Sequence, residues 1–152
     1  MASKTLLLEH SFDGKFDIIY EYISDLRKFG EIHPYMKEVN ELPQKQNISG
    51  TLFRIKEEAT LFGFLKIKPE YHAEVMSDKS KKLVSYFSVI QERIVLKSNF
   101  TFEENLLENK ILLVEQIELN GNALLIAYFA SILKKTHLQT FENLRKQLKV
   151  SK

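Results

Sequence analysis

The last stretch of the chain, Asn122 to about Lys149, limits the possible folds most, because its character changes halfway along. Its first half, Ala123 to Leu133, is apolar on nearly every side. From Lys134 onward the pattern narrows to one stripe, His137, Phe141, Leu144 and Leu148, on a helix rich in Lys and Arg. A helix of this kind meets apolar surface all round at one end and leans on a core by a single face at the other. It follows a series of strand-like segments, so the expected architecture is a rod gripped by a curved sheet. The longest apolar run, ALLIAYFASIL, is well short of the ~20 residues that a membrane-spanning helix requires, although it leaves room for transient contact with a membrane surface.

The segments before the helix alternate with the period of strands. Residues 5–12 read as a first strand, ended by Asp13-Gly14. Phe16, Ile19, Tyr20, Ile23 and Leu26 then recur at helical spacing, which predicts a helix over about Lys15 to Lys28 with Asp13 near its N-cap. A second short helix is expected from about Phe29 to Tyr35, broken near Pro34. Six strands follow, at about Met36–Leu42, Thr51–Thr60, Leu65–Met76, Leu83–Ile90, Ile94–Glu103 and Lys110–Asn120. Turn residues or charge separate most of them, whereas the break at Gln91-Glu92-Arg93 lacks Gly, Pro, Asn and Asp.

Facing follows from the alternation. Leu65, Ile67, Pro69, Tyr71, Ala73 and Val75 oppose Lys66, Lys68, Glu70, His72 and Glu74, so that strand has a wet side. Phe53, Ile55, Glu57 and Ala59 form the inward set of another. Ile94, Leu96, Phe100 and Phe102 share a face with Ser98, and Ile111, Leu113, Ile117 and Leu119 share one with Glu115. A one-layer antiparallel sheet wet on one side must bury its other side against helix.

Strand, helical pair, six strands and one long terminal helix resemble the helix-grip fold of the START, polyketide cyclase and pollen-allergen superfamily, SRPBCC. IIYEYISDLRKFGEIHPYMKEV is similar to the family's first helix, Ser-Asp turn and apolar-Pro segment, and LLVEQIELNGNALLIAYFASILKKTHLQTFENLRKQL to its last strand and gripping helix. The resemblance covers essentially the whole chain. It implies an α+β fold in which a curved antiparallel sheet of about seven strands wraps a long C-terminal helix, with two short helices after the first strand, in one domain over residues 1–152. It also implies a cavity between sheet and helix that takes lipids, sterols, quinones or polyketides in other members, a minority of which perform chemistry. The inward aromatic residues Phe53, Tyr71, Phe100 and Phe102, with Tyr128 and Phe129 of the helix, suit such a lining; the plainer alternative is a filled core.

The inward polar residues carry any chemistry. His10, Glu57, Tyr71, Glu115 and His137 face the core, and a buried carboxylate needs a partner, water or a ligand. Beside a histidine in an apolar pocket, Glu57 or Glu115 can serve as a general base, with His137 as acid or base. Against this stands the ordinary fate of such residues, a carboxylate reaching solvent at a strand end or a histidine satisfied within the core. His33, before Pro34, belongs at a cavity rim, His72 should point to water, and Leu61-Phe62-Gly63 is a candidate mouth.

No cysteine, HExxH, closely spaced histidine pair, phosphate loop, nucleophile elbow or dinucleotide fingerprint is present, so neither a metal nor a cofactor is expected. Lys+Arg 22 against Asp+Glu 20 argues against nucleic acid as a partner. Lack of cysteine and of a leader-like N-terminus fits a cytoplasmic protein. The expected function is binding or transport of a hydrophobic small molecule or lipid. The alternatives are a cyclase, dehydratase or isomerase acting on an apolar carbonyl compound, and a protein-interaction module. Nothing in the sequence specifies an oligomeric state.

Overall fold

A computed structural model describes residues 2–44, 50–61 and 63–150. The chain forms β1 (Ala2–Asp13), α1 (Phe16–Ser24), α2 (Leu26–Ile32), β2 (Met36–Glu41), β3 (Thr51–Glu57), β4 (Ala59–Leu61), β5 (Leu65–Ile67), β6 (Glu70–Asp78), β7 (Leu83–Ile90), β8 (Ile94–Asn105), β9 (Lys110–Gly121) and α3 (Ala123–Val150). Seven strands make one antiparallel sheet in the order β1-β9-β8-β7-β6-β3-β2, and β4 pairs with β5 separately. The helix α3 lies against β1 and β9 and touches α2. This is the expected α+β helix-grip arrangement.

Three local expectations are corrected. Asp13 does not cap α1: it ends β1 opposite Lys110, and Lys15 occupies the cap position without a side-chain bond. The first helix does not run on to Lys28 but stops at Ser24. Asp25 turns its carboxylate to the backbone N–H of Arg27 (2.9 Å) and starts α2 there, because a short acidic side chain offers the backbone a cap that competes with helix continuation. The strands expected over 51–60 and 65–76 are each divided. Pro69 has no N–H for the ladder with β3, so only its carbonyl engages, accepting from Glu57 N–H, while Glu58 N–H turns to the carbonyl of Tyr35. The outer portions then pair as β4–β5, where Leu65, expected inward, is exposed.

The stripe on α3 anchors the grip. Phe141 and Leu144 are fully buried, His137 is buried, and Leu148 packs partly against the same cluster. Each such apolar side chain contributes about 1.5–3 kcal/mol of burial. Polar bonds set the helix's rotation: Asn143 donates to the carbonyl of Ile32 at the end of α2 (2.9 Å), and Arg145 donates to the carbonyl of Ser11 (3.0 Å) while lying over the ring of Phe12.

The buried apolar residues fall into two clusters. One joins Phe12, α1 and α2 to Phe53, Phe100, Phe102, Phe141 and Leu144. The other joins Ile90, Ile94, Ile117 and Leu119 to Ile126 and Ala130 of α3. Tyr71 packs against both.

Candidate functional site

A cavity of about 140 Å³ lies between the two clusters, under α3. Its floor is made of small side chains on the inward sheet face. Ala73 and Ser88 face each other across β6 and β7, and Ser98 stands opposite Tyr86 on β8. Ser88 and Ser98 are buried. Small residues at these positions leave a gap where leucine or phenylalanine would have filled a core. Apolar walls come from Leu26, Phe29, Ile55, Phe129, Ile132 and Leu133. Tyr128 also lines the space yet is 37% exposed, so the cavity reaches the surface beside the first half of α3. β4 and β5 supply Ala59 and Ile67 to the lining, and the same unit leaves Phe64 and Leu65 exposed.

The polar wall is built around Glu115, which is fully buried on β9. Its carboxylate accepts from His137 Nδ1 and, at 3.4 Å, from His10 Nε2. Taking His137 by Nδ1 leaves Nε2 as the ring nitrogen on the other edge, and His137 lines the cavity. Burial alone would raise the Glu115 carboxyl, but the charge of His137 and the hydrogen bonds from both histidines outweigh it and hold the group below its usual value. Burial likewise opposes protonation of His137, and Glu115 outweighs that, holding the imidazole above its usual value with help from Glu57.

Glu57 completes the polar group. It accepts a hydrogen bond from the Tyr71 hydroxyl, and burial raises its carboxyl against the opposing effects of Tyr71 and His137. His33 sits beside His137, the ring centroids 6.4 Å apart. Its Nδ1 accepts from the backbone N–H groups of Tyr35 (3.1 Å) and Met36 (3.2 Å), and burial, with the like charge of His137, pushes it down to about 3. It is therefore a neutral histidine with a structural bond on one nitrogen. Tyr86 donates its hydroxyl to the carbonyl of Ile23, fastening the end of α1 to the sheet.

Of the residues expected at a ligand site, His33, Glu57, Tyr71, Tyr128, Phe129 and His137 line the cavity. Phe53, Phe100 and Phe102 do not. They share the inward sheet face, but helical residues fill that end: Phe102 meets Phe16 and Tyr20 of α1, Phe100 meets Tyr86 of β7 and Phe141 of α3, and Phe53 belongs to the same packed cluster. Glu115 stands behind His137 rather than in the lining. His72 is exposed, as its facing predicts. Within the proposed mouth, Phe62 lies outside the described residues. Tyr86 and Ser88 are lining residues outside the expected set, and the alternation of Val84, Tyr86, Ser88 and Ile90 is the signal that puts both on the inward face. The packing of α2, which brings in Leu26 and Phe29, had no comparable signal.

Among the described residues no group of three or more potential ligands is placed to hold a metal ion, and no helix is long and apolar enough to cross a membrane. No family model and no curated protein matches the sequence. Solved structures do match. The Zhui aromatase/cyclase from Streptomyces sp. R1128 superposes with a TM-score of 0.75 at 9% identity, over 96% of this chain and 93% of that one. A START superfamily protein from Mycobacterium smegmatis gives 0.70 at 12% identity, over 95% and 98%. Major latex-like protein 151 from Panax ginseng gives 0.69 at 11%, over 95% and 97%. Strand order, the paired short helices and the terminal helix together give this chain the helix-grip fold of those structures.

Proposed function

We propose that the protein binds a small, largely apolar molecule in the cavity between sheet and α3. The observation that carries the reading is the floor of Ala73, Ser88 and Ser98, small residues on a face whose other positions hold large ones. A chain selected only for a filled core gains about 1 kcal/mol or more by closing each such gap. Native mass spectrometry of the purified protein, with calorimetric titration of one-ring aromatic compounds, tests it. A co-purified molecule or a saturable heat of binding is expected. A protein that carries nothing and binds none of the compounds would overturn the reading.

A second reading is favoured by the Glu115–His137 pair facing Glu57. A carboxylate that fixes Nδ1 of an imidazole leaves Nε2 to exchange protons, and a second carboxyl group in the same dry space, raised by burial, is suited to act as the acid. Such a pair suits a cyclase, dehydratase or isomerase acting on an apolar carbonyl compound, and structures of the same fold include an aromatase/cyclase. Deuterium exchange at the carbon beside the carbonyl of a one-ring ketone, followed by NMR, reports on it. Exchange no faster than in buffer removes the enzymatic reading and leaves binding intact.

A further inference from the structure

We infer that the cavity takes a neutral ligand of about one ring carrying a hydroxyl or carbonyl oxygen, placed between His137 and Glu57, and that it rejects carboxylates. This rests on the reading of the cavity as a ligand site. Size is the first argument. The space measures about 140 Å³, close to the ~150 Å³ of a dry protein cavity that holds benzene and below the ~300–1,000 Å³ of sites for larger organic ligands. A long acyl chain exceeds this volume.

Charge is the second argument. Among the described residues that line the cavity there is no Lys or Arg. The one lining group favoured to take a positive charge is His137, and Glu115 already matches it at Nδ1. A ligand carboxylate would therefore enter a largely apolar space without a free cation and with Glu57 beside it. An uncompensated buried charge of that kind costs several kcal/mol. An ammonium meets the opposite difficulty, since it would sit next to protonated His137 and against a Glu57 carboxyl already bonded by Tyr71. A neutral oxygen avoids both costs: it can accept from His137 or donate to Glu57, and the apolar walls cover its ring.

The test compares four compounds built on one methylbenzene ring, toluene, 4-methylphenol, 4-methylbenzoate and 4-methylbenzylamine, by calorimetric titration at neutral pH. The phenol is expected to bind about tenfold more tightly than toluene, the worth of one net hydrogen bond, and about a hundredfold or more above the benzoate. NMR of the imidazole nitrogens should show the His137 Nε2 15N shift moving far more on addition of the phenol than of toluene, because a hydrogen bond dominates that shift; the readout needs no variant. In Glu57→Gln the preference for phenol over toluene should shrink. Equal affinity for phenol and toluene, tightest binding of the benzoate or the amine, or an unmoved His137 signal would leave a ligand site but overturn the assignment of its ligand. Failure of all four to bind removes the ligand site itself.

Discussion

Glu115 holds two imidazoles in a place where water does not share its charge, and the chemistry of the cavity depends on that pairing. Removing one partner of a buried pair strands the other, at roughly 3–5 kcal/mol. Glu115→Gln should therefore lower stability by about that amount in urea unfolding, and NMR titration of the folded variant should show the His137 imidazole falling from its raised value. Protonation of His137 is favoured by folding, so its contribution is whole below the ordinary value of 6.5 and fades as pH rises through the folded value. Glu115 behaves in the opposite sense, contributing above 4.5 and fading as pH falls through its lowered value. The pair is thus most stabilising in the interval between those limits. His33 acts differently. It is held neutral, down to about 3, so between 6.5 and that value the unfolded chain binds the extra proton and stability is lost as pH falls. His33→Asn keeps an acceptor for the N–H groups of Tyr35 and Met36. It should flatten the acid limb, sparing about 2–3 kcal/mol between roughly pH 6 and pH 4 in denaturant titrations at each pH.

Elements in this chain end where their backbone groups find other partners. The division of the first helix at Asp25 and of two strands near Pro69 both come from a single residue that satisfies, or lacks, a backbone bond. The turn between β7 and β8 shows the opposite case. Gln91 and Glu92 hold φ values of 52° and 58°, the left-handed region, with Arg93 N–H closing onto the carbonyl of Ile90. Residues with a Cβ are strained there, and nothing in their identity announces the turn, which is why the sequence leaves this break weakly marked while the pairing of Ile90 with Ile94 is firm. Replacing Gln91-Glu92 by Asn-Gly should raise stability by about 1 kcal/mol, or about 2–4 °C in thermal midpoint for a chain of this size. An unchanged or lower midpoint would show that the turn is held by something other than its own conformational preference.

For the whole molecule, the cavity exists because one sheet face is covered by two separate groups of helical residues that do not meet. α1 and α2 close one end with the lower half of α3, and the first half of α3 closes the other on the β7–β8 hairpin. Adding volume to the floor should close the space without disturbing either cluster. Ser98→Val puts a strand-favouring side chain there, and it should leave the thermal midpoint level or higher while abolishing the stabilisation that a bound one-ring compound confers. That stabilisation is about 2.7 kcal/mol at a hundred times Kd in the unaltered protein. A variant that still shifts with ligand would place binding elsewhere. Period-two alternation put Glu57, Glu115 and Ser98 on the inward face, and helical spacing put His137, Phe141 and Leu144 on the buried stripe, because both patterns are local consequences of backbone geometry. The apolar first half of α3 signalled its double contact with core and cavity, leaving Leu124 as surplus at 84% exposure. Local geometry says which way a side chain points but not how far the opposite wall lies. That distance is decided by the curvature of the sheet and the seat of the helices. Only the tertiary structure, accordingly, divided the inward aromatics into packed Phe53, Phe100 and Phe102 and cavity-lining Tyr71, and only it brought His10 and His137 to the one carboxylate of Glu115.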